Sequence, residues 1–439
     1  MFQTFKNAFK IPELRTKLLF TLFIILLYRI GVAIPVPYVN ANVLGATMAS
    51  GTIFDYLNIM SGGALSQATL FALGVQPYIN ASIIIQLLTI AIPYLENLSK
   101  QGEDGKKKLN NITRYTTVAL AVLTSFGYYM LLKNQYQILT DTGIFAAFVI
   151  IACYCAGASL VMWLAEKINE NGIGNGISMI LFANIIARLP SMVSSTWNTA
   201  YGWMQNGGLG ILGGVLFIIL VIAVMVALVG LVVFVTESER KIPVQYAKRV
   251  VGRKMYGGQS SVLPIKLNMT GVMPIIFASS ICTLPATIMM FISEPSNEGA
   301  GKSIYNFFAN IFSTTSPVYM IIYFALIIAF AYFYIAISFN PVEVANNLKK
   351  NGGFIPGIRP GKPTSDYISK ILSKITLIGA IFLGFIAIFP MVLNAVSADA
   401  FAGIAFGGSS LLIVVGVALE TAREIEAQMT MRHYKGFLQ

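Results

Sequence analysis

Apolar runs of about 20 residues, the length a helix needs to cross a bilayer, recur ten times. They lie near 18 to 38, 68 to 92, 115 to 132, 144 to 165, 173 to 190, 211 to 235, 271 to 292, 316 to 339, 371 to 392 and 405 to 422. Hydrocarbon offers the backbone no water to bond, so each run is expected to be a helix. The pattern predicts an all-α integral membrane protein with ten transmembrane helices. One stretch breaks it. In "IMSGGALSQATLFALGVQPY", Ile59 to Tyr78, a half-polar segment with a Gly62-Gly63 pair stands directly against an apolar helix.

Composition agrees with the pattern. Of 439 residues, 56% are hydrophobic and 11% charged, with a mean hydropathy of +0.73, whereas soluble domains carry about 25% charge. All lysines and arginines but four (Arg29, Lys133, Arg188, Lys302) fall in the N-terminus, in 95–114, 166–176, 236–270 and 341–374, and in the C-terminal tail. Under the positive-inside rule these segments and both termini are cytoplasmic. The net charge of +12 is thus gathered on one face, which favours anionic lipids and polyanionic or acidic partners. No cleavable signal peptide is expected before the first run, which must itself direct insertion.

Ten spans divide at "SMVSSTWNTAYGWMQNGGLG", expected as an external connecting loop over 191–210. It separates an N-terminal half, 1–190, from a C-terminal half, 211–439, with five spans each. An odd number per half reverses the second half in the membrane, the topology of an inverted repeat whose working path lies between the halves. "PYINASII" (Pro77 to Ile84) and "PIIFASSI" (Pro274 to Ile281) occupy the second span of each half and match at five of eight positions, making Ile79 and Ile276 equivalent. Ile79, Ile83 and Gln86 share one helical face. An amide facing lipid is costly, so Gln86 should seek a cavity or a neighbouring helix.

Several chemistries are missing. Cys153, Cys155 and Cys282 lie inside spans at spacings that fit neither zinc nor a disulfide framework, and His433 is the one histidine. No catalytic site, metal site or cofactor is expected, and the protein is not expected to be an enzyme. Carboxylates are absent from mid-span positions: Asp55 lies in the broken stretch, and Glu166 and Glu420 lie near cytoplasmic ends. Arg29 is close enough to the outer end of its span to snorkel. A proton- or sodium-coupled carrier is therefore disfavoured, although an inverted-repeat secondary transporter for a small solute remains the alternative reading. "SNEGAGKS" (Ser296 to Ser303) imitates a phosphate loop but has Ser296 where that motif requires glycine.

Two cytoplasmic loops are longer than connections need. Residues 236–270 carry Arg240, Lys241, Lys248, Arg249, Arg253 and Lys254 in pairs between apolar and aromatic residues. Such a surface suits RNA phosphates or acidic protein patches. Residues 341–370 hold Arg359 among Pro356, Gly357, Pro360, Gly361 and Pro363. Turn-forming neighbours of this kind present a side chain in a defined direction, and a guanidinium is suited to bidentate bonds with carboxylate or phosphate.

The stretches "SGGALSQATLFALGVQPYINASIIIQLL", "GIGNGISMILFANII", "LPIKLNMTGVMPIIFASSI", "NNLKKNGGFIPGIRPGKPT" and "SLLIVVGVALET" together resemble the SecY family, the channel subunit of the bacterial protein-translocation complex. The resemblance implies two inverted five-helix halves around an hourglass pore. It places an apolar ring at Ile79, Ile83, Ile177, Leu181, Ile276 and Ile413; such a constriction disfavours water and ions when empty without binding a passing chain. It implies a lateral gate between spans two and seven, where Ser82, Gln86, Ser280 and Thr283 are candidate polar contacts. It also implies a short re-entrant plug helix over about 53–65, including Ile53, Phe54, Asp55, Tyr56 and Leu57, with Ser61, Gly62 and Gly63 as its hinge. The implied substrates are signal sequences and nascent polypeptides. The implied partners are SecE and SecG in the membrane, with the motor SecA and the translating ribosome at the basic loops; DNA is not among them. The implied location is the bacterial cytoplasmic membrane.

Overall fold

The computed structural model describes residues 8–40, 58, 61–134, 137–206, 210–246, 249–251, 254–256, 260–289, 307, 310–313, 316–396 and 408–435. Each predicted run contains a helix. The first half provides α1 (Pro12–Val32), α2 (Gln76–Ala91), α3 (Pro93–Lys100), α4 (Glu103–Asn134), α5 (Ile144–Asn171), α6 (Gly176–Ala187) and α7 (Leu189–Asn206). The second provides α8 (Gly210–Glu237), α9 (Met273–Met289), α10 (Pro317–Ser338), α11 (Pro341–Lys350), α12 (Lys362–Val396) and α13 (Gly408–Lys435). Among the described residues six helical segments are long and apolar enough to cross a membrane, or seven if the bent pair α2 and α3 is one span.

Three departures from the expected pattern have local causes. The second apolar run becomes helix only from Gln76. Before it, residues 61–75 form turns that lie against the chain leaving α1, through Val36 N–H to Ala68 O at 3.1 Å and Leu70 N–H to Ile34 O at 2.9 Å. At the far end Ile92 is extended (φ −110°, ψ 114°) because Pro93 follows it, and α3 turns away from α2 by 101°. The third departure corrects the expected external loop at 191–210. Most of it is the helix α7, which packs antiparallel along α8: Trp203 lies on Phe217 with ring centroids 5.2 Å apart, and Leu189 and Met192 line an apolar groove with Val221 and Met225. Span five therefore continues well past residue 190.

The all-α expectation also misses a β-ribbon. Basic loop 236–270 folds into β1 (Glu239–Tyr246) and β4 (Ser260–Lys266), antiparallel from Glu239↔Lys266 to Gln245↔Ser260. Between them β2 (Arg249–Val251) pairs with β3 (Lys254–Tyr256). Alternation along β1 buries Ile242 and Val244 and exposes Lys241 and Pro243, the period-two pattern of a strand with one covered face. The second basic loop is equally structured. After α11 it supplies β5 (Gly353–Phe354), which pairs with β1 at Gln245↔Phe354 and Tyr246↔Gly353. Ile242, Val244, Ile265, Ile355 and Ile368 then share one small core. The two basic loops are one folded unit.

Contacts sort the helix ends to two sides. The start of α1, the 172–175 turn and the end of α13 meet through buried Leu14, Ile173 and Ile425, and Lys17 donates to Gln428 Oε1 at 3.3 Å. Arg423 on α13 donates to Glu237 Oε1 at 2.6 Å, at the end of α8 and the base of the ribbon. The start of α1, the end of α13 and the ribbon thus lie on one side, here the ribbon side. Arg29 at the end of α1, Ala183 near the end of α6, and Gly62 meet on the opposite side.

Candidate pore, hinge and docking unit

The predicted ring residues come from four helices spread over both halves. Ile79 and Ile83 stand on α2, Ile177 and Leu181 on α6, Ile276 on α9 and Ile413 on α13. Five of them are buried members of a single apolar cluster, against which Ile177 packs half-buried. Ile79 and Ile83 are one turn apart on α2, and Ile177 and Leu181 one turn apart on α6, so each helix offers two ring side chains on one face.

Position on α6 is set by Asn175. As N-cap its side chain accepts from Ile177 N–H at 3.0 Å and Ser178 N–H at 3.4 Å, satisfying donors that a helix start leaves bare. Gly174 (φ +85°) makes the preceding turn, and its N–H donates to Glu424 Oε2 of α13 at 2.8 Å. The "GIGNG" stretch is thus a cap and a clasp between two helices of the ring. An Asn before an apolar helix was the signal that could have found it.

Of the four candidate contacts between α2 and α9, Thr283 bonds across to the facing helix, and Ser82 and Gln86 bond to each other. Gln86 donates to Ser82 Oγ at 3.4 Å, but both lie on α2, so this pair holds nothing across the seam. The crossing bond is Gln76 Nε2 to Thr283 Oγ1 at 3.0 Å, while Thr283 Oγ1 donates to Ser280 O on its own helix at 2.7 Å. The buried Ser280 hydroxyl has no partner among the described residues. Gln76 stands in the first turn of α2, just before Pro77, on the face shared by Ile79 and Ile83. A hydrogen bond within a membrane contributes about 0.6 to 2 kcal/mol. Gln76→Leu is expected to shift the open-to-closed ratio roughly 3- to 30-fold, with Gln86→Leu near the native ratio; resting ion conductance of the two variants in planar bilayers measures the difference.

Of the plug residues, Ile53, Phe54, Asp55, Tyr56 and Leu57 lie outside the described residues. The hinge is described. Gly62 (φ +71°) and Gly63 (φ +91°) both adopt the left-handed backbone that glycine accommodates, and Gly63 N–H donates to Asn58 O at 2.8 Å. The Ser61 hydroxyl donates to Asn58 O at 3.1 Å and accepts from Leu65 N–H at 3.2 Å. A cavity of about 40 Å³ touches Ser61 of the hinge, Leu181 of the ring, and Gln76 and Thr287 at the seam.

In the ribbon unit, Arg240, Lys241 and Arg359 are exposed. Arg359 sits between Gly357 (φ +81°) and Gly361 (φ +106°), and its carbonyl accepts from the Thr364 hydroxyl at 2.9 Å. Arg249 and Lys254 fall on the short strands β2 and β3; Lys248 and Arg253 lie outside the described residues. At the base, burial pushes the Lys266 ammonium below its ordinary pKa, and the Arg423 charge acts in the same direction.

A family model described as SecY matches residues 69–422. Over the full length of both chains, this chain is 47% identical to the protein translocase subunit SecY of Streptomyces coelicolor and 44% identical to that of Mycobacterium tuberculosis. The chain belongs to the SecY family. Solved structures are similar in fold. A protein-conducting channel superposes with a TM-score of 0.63 at 18% identity, covering 94% of this chain and 92% of that one. Sec61 from a canine ribosome–channel complex does so with a TM-score of 0.61 over the same shares. As a member of the SecY family the chain is a multi-pass membrane protein and a translocation channel subunit, not an enzyme.

Proposed function

We propose that this SecY-family chain forms the pore of a Sec translocon, passing unfolded polypeptides between its two halves and releasing transmembrane segments sideways between α2 and α9. The observation that carries this reading is the single apolar cluster to which α2 and α6 of one half and α9 and α13 of the other contribute Ile79, Ile83, Leu181, Ile276 and Ile413. An apolar waist excludes ions when empty and offers a moving chain no polar group to bind. The small-solute carrier would need polar side chains at the midplane, and Ile79, Ile83, Leu181, Ile276 and Ile413 supply none.

Ten crossings fit this arrangement. The start of α1 and the end of α13 lie on the same side, which supports an even number, and the concentration of positive charge on the ribbon side supports a cytoplasmic ribbon in the bacterial membrane. The ribbon unit is the surface for the translating ribosome and for SecA, and SecE and SecG are the membrane partners. Anionic lipids complement the basic face.

The test is site-specific crosslinking from Ile83, replaced by a photoreactive residue, to a secretory chain arrested in transit. Crosslinks at Ile83 and Ile276, and none at lipid-facing Leu123, are expected. An engaged chain that fails to crosslink at either ring position would remove the pore from this path.

A further inference from the structure

The four ring helices form two pairs across the halves. α2 packs on α9, and α6 packs on α13; the first pair contributes Ile79, Ile83 and Ile276 to the waist, the second Ile177, Leu181 and Ile413. Different chemistry joins the two pairs. Between α2 and α9 the described bond is that of Gln76 to Thr283, amide to hydroxyl, at 3.0 Å. Between α6 and α13 a backbone N–H meets a carboxylate: Gly174, in the turn that opens α6, donates to Glu424 Oε2 at 2.8 Å. A hydrogen bond with an ionised partner is roughly twice as strong as a neutral one.

Both ends of this clasp are held in place. Glu424 Oε1 accepts from Gln428 Nε2 at 3.1 Å, and Gln428 Oε1 accepts from Lys17 Nζ of α1 at 3.3 Å. On the other end, Ile173 N–H donates to Thr21 Oγ1 of α1 at 3.0 Å, and Gly176 N–H donates to Asn169 Oδ1 of α5 at 2.7 Å. Buried Ile173 packs with Leu14 and Ile425. Toward the waist, Thr421 Oγ1 of α13 lies 3.6 Å from Met179 Sδ of α6, and a methyl group placed on Gly174 would stand 3.3 Å from the same hydroxyl. The turn and α13 are in close contact.

Glu424 lies about three turns past Ile413, hence on the same face of α13, and Gly174 stands just before Ile177. The clasp therefore joins, on the ribbon side, the two helices that carry ring residues from opposite halves. We propose that Glu424 is a positioning residue that holds the α6–α13 side of the waist at fixed width, so that the waist widens on the α2–α9 side alone. This rests on reading the waist as the path of the polypeptide. Glu424 acts through the two helices and not on the moving chain.

The experiment uses the reconstituted complex with Cys153, Cys155 and Cys282 replaced by alanine. One variant carries Met179→Cys with Thr421→Cys, another Gln76→Cys with Thr283→Cys, and each pair is joined by a short thiol crosslinker. Linking the first pair should leave export near its unlinked rate, and linking the second should abolish it. Export lost on linking the first pair overturns the clasp, because that contact would then have to part. Export retained on linking the second pair removes the reading of the waist and seam instead. Resting ion conductance in planar bilayers gives the second measurement. Glu424→Ala should raise it about tenfold, the ratio that a hydrogen bond to a charged group sets between two states, and Glu424→Gln should raise it less because the amide oxygen still accepts. Linking Met179→Cys to Thr421→Cys in the Glu424→Ala protein should restore the native conductance, which a general loss of stability would not allow. A native conductance for Glu424→Ala, or a gain that the link fails to reverse, overturns the positioning role. Should Glu424→Ala not assemble, Glu424→Gln is read by the same criteria.

Discussion

Deleting Phe54 to Ala64 is expected to raise the resting ion conductance of the reconstituted complex at least about tenfold while leaving export competent. A ring made of six aliphatic side chains is a thin barrier, and a pore wide enough for a polypeptide needs a second closure at rest. An unplugged state that is a minor conformer, about 0.1 to 10% populated, becomes the whole population once the segment is gone, and the expected gain follows from that ratio. The expected hinge has the backbone this reading asks for: Gly62 and Gly63 are left-handed, and the chain after them is bonded to α4 and to the residues that follow α1. Single-channel recording of the purified complex measures the effect. A conductance equal to that of the intact complex would make Ile53 to Leu65 an ordinary connection between helices.

Arg359→Glu is expected to abolish most motor-driven export while leaving the resting conductance unchanged. The residue stands exposed at the tip of a turn whose backbone is set by two glycines of positive φ and by the Thr364 bond to its own carbonyl. Reversing a charge used in a hydrogen-bonded contact costs at least about 2 kcal/mol, or about thirtyfold in affinity. The effect should extend to the neighbouring loop, because β5 pairs with β1 and both loops share one core. Export by purified motor into vesicles measures it, and a native rate would exclude Arg359 from the contact. Intact conductance in the same vesicles separates a lost docking contact from a damaged pore.

Both expectations began as features of the sequence, and they were legible to different degrees. Each of the ten apolar runs contains a helix, because helix formation in a membrane follows from bilayer thickness and backbone satisfaction, which need no tertiary information. The ring residues were named through family resemblance and by their spacing within each helix. That they meet in one cluster depends on how α2, α6, α9 and α13 cross, which no spacing encodes. The seam shows the difference most sharply. Gln86 carries the polar signal on an apolar helix, yet its amide turns to Ser82 one turn away, and the bond across the seam comes from Gln76.

The loops teach the same lesson. Residues 236–270 read in sequence as a long basic docking loop without strands, because alternation over Ile242 and Val244 covers only a few positions between paired basic residues; the strand has a buried face only once Ile355 and Ile368 from the next loop cover it. Residues 191–210 read as an external connection because they divide the ten runs into two sets of five, and 191–206 are helical, packed on the apolar face of α8. By itself the sequence determined that the chain enters a membrane, which apolar stretches hold its long helices, which loops carry the charge, and which glycines free the backbone. Those properties follow from local transfer energies and local backbone preferences. The tertiary structure alone decided which side chains share the waist, which amide crosses the seam, that two basic loops form one body, and that Arg29 lies beneath Gly62, because each is a contact between residues far apart in the chain, fixed by close packing of whole helices.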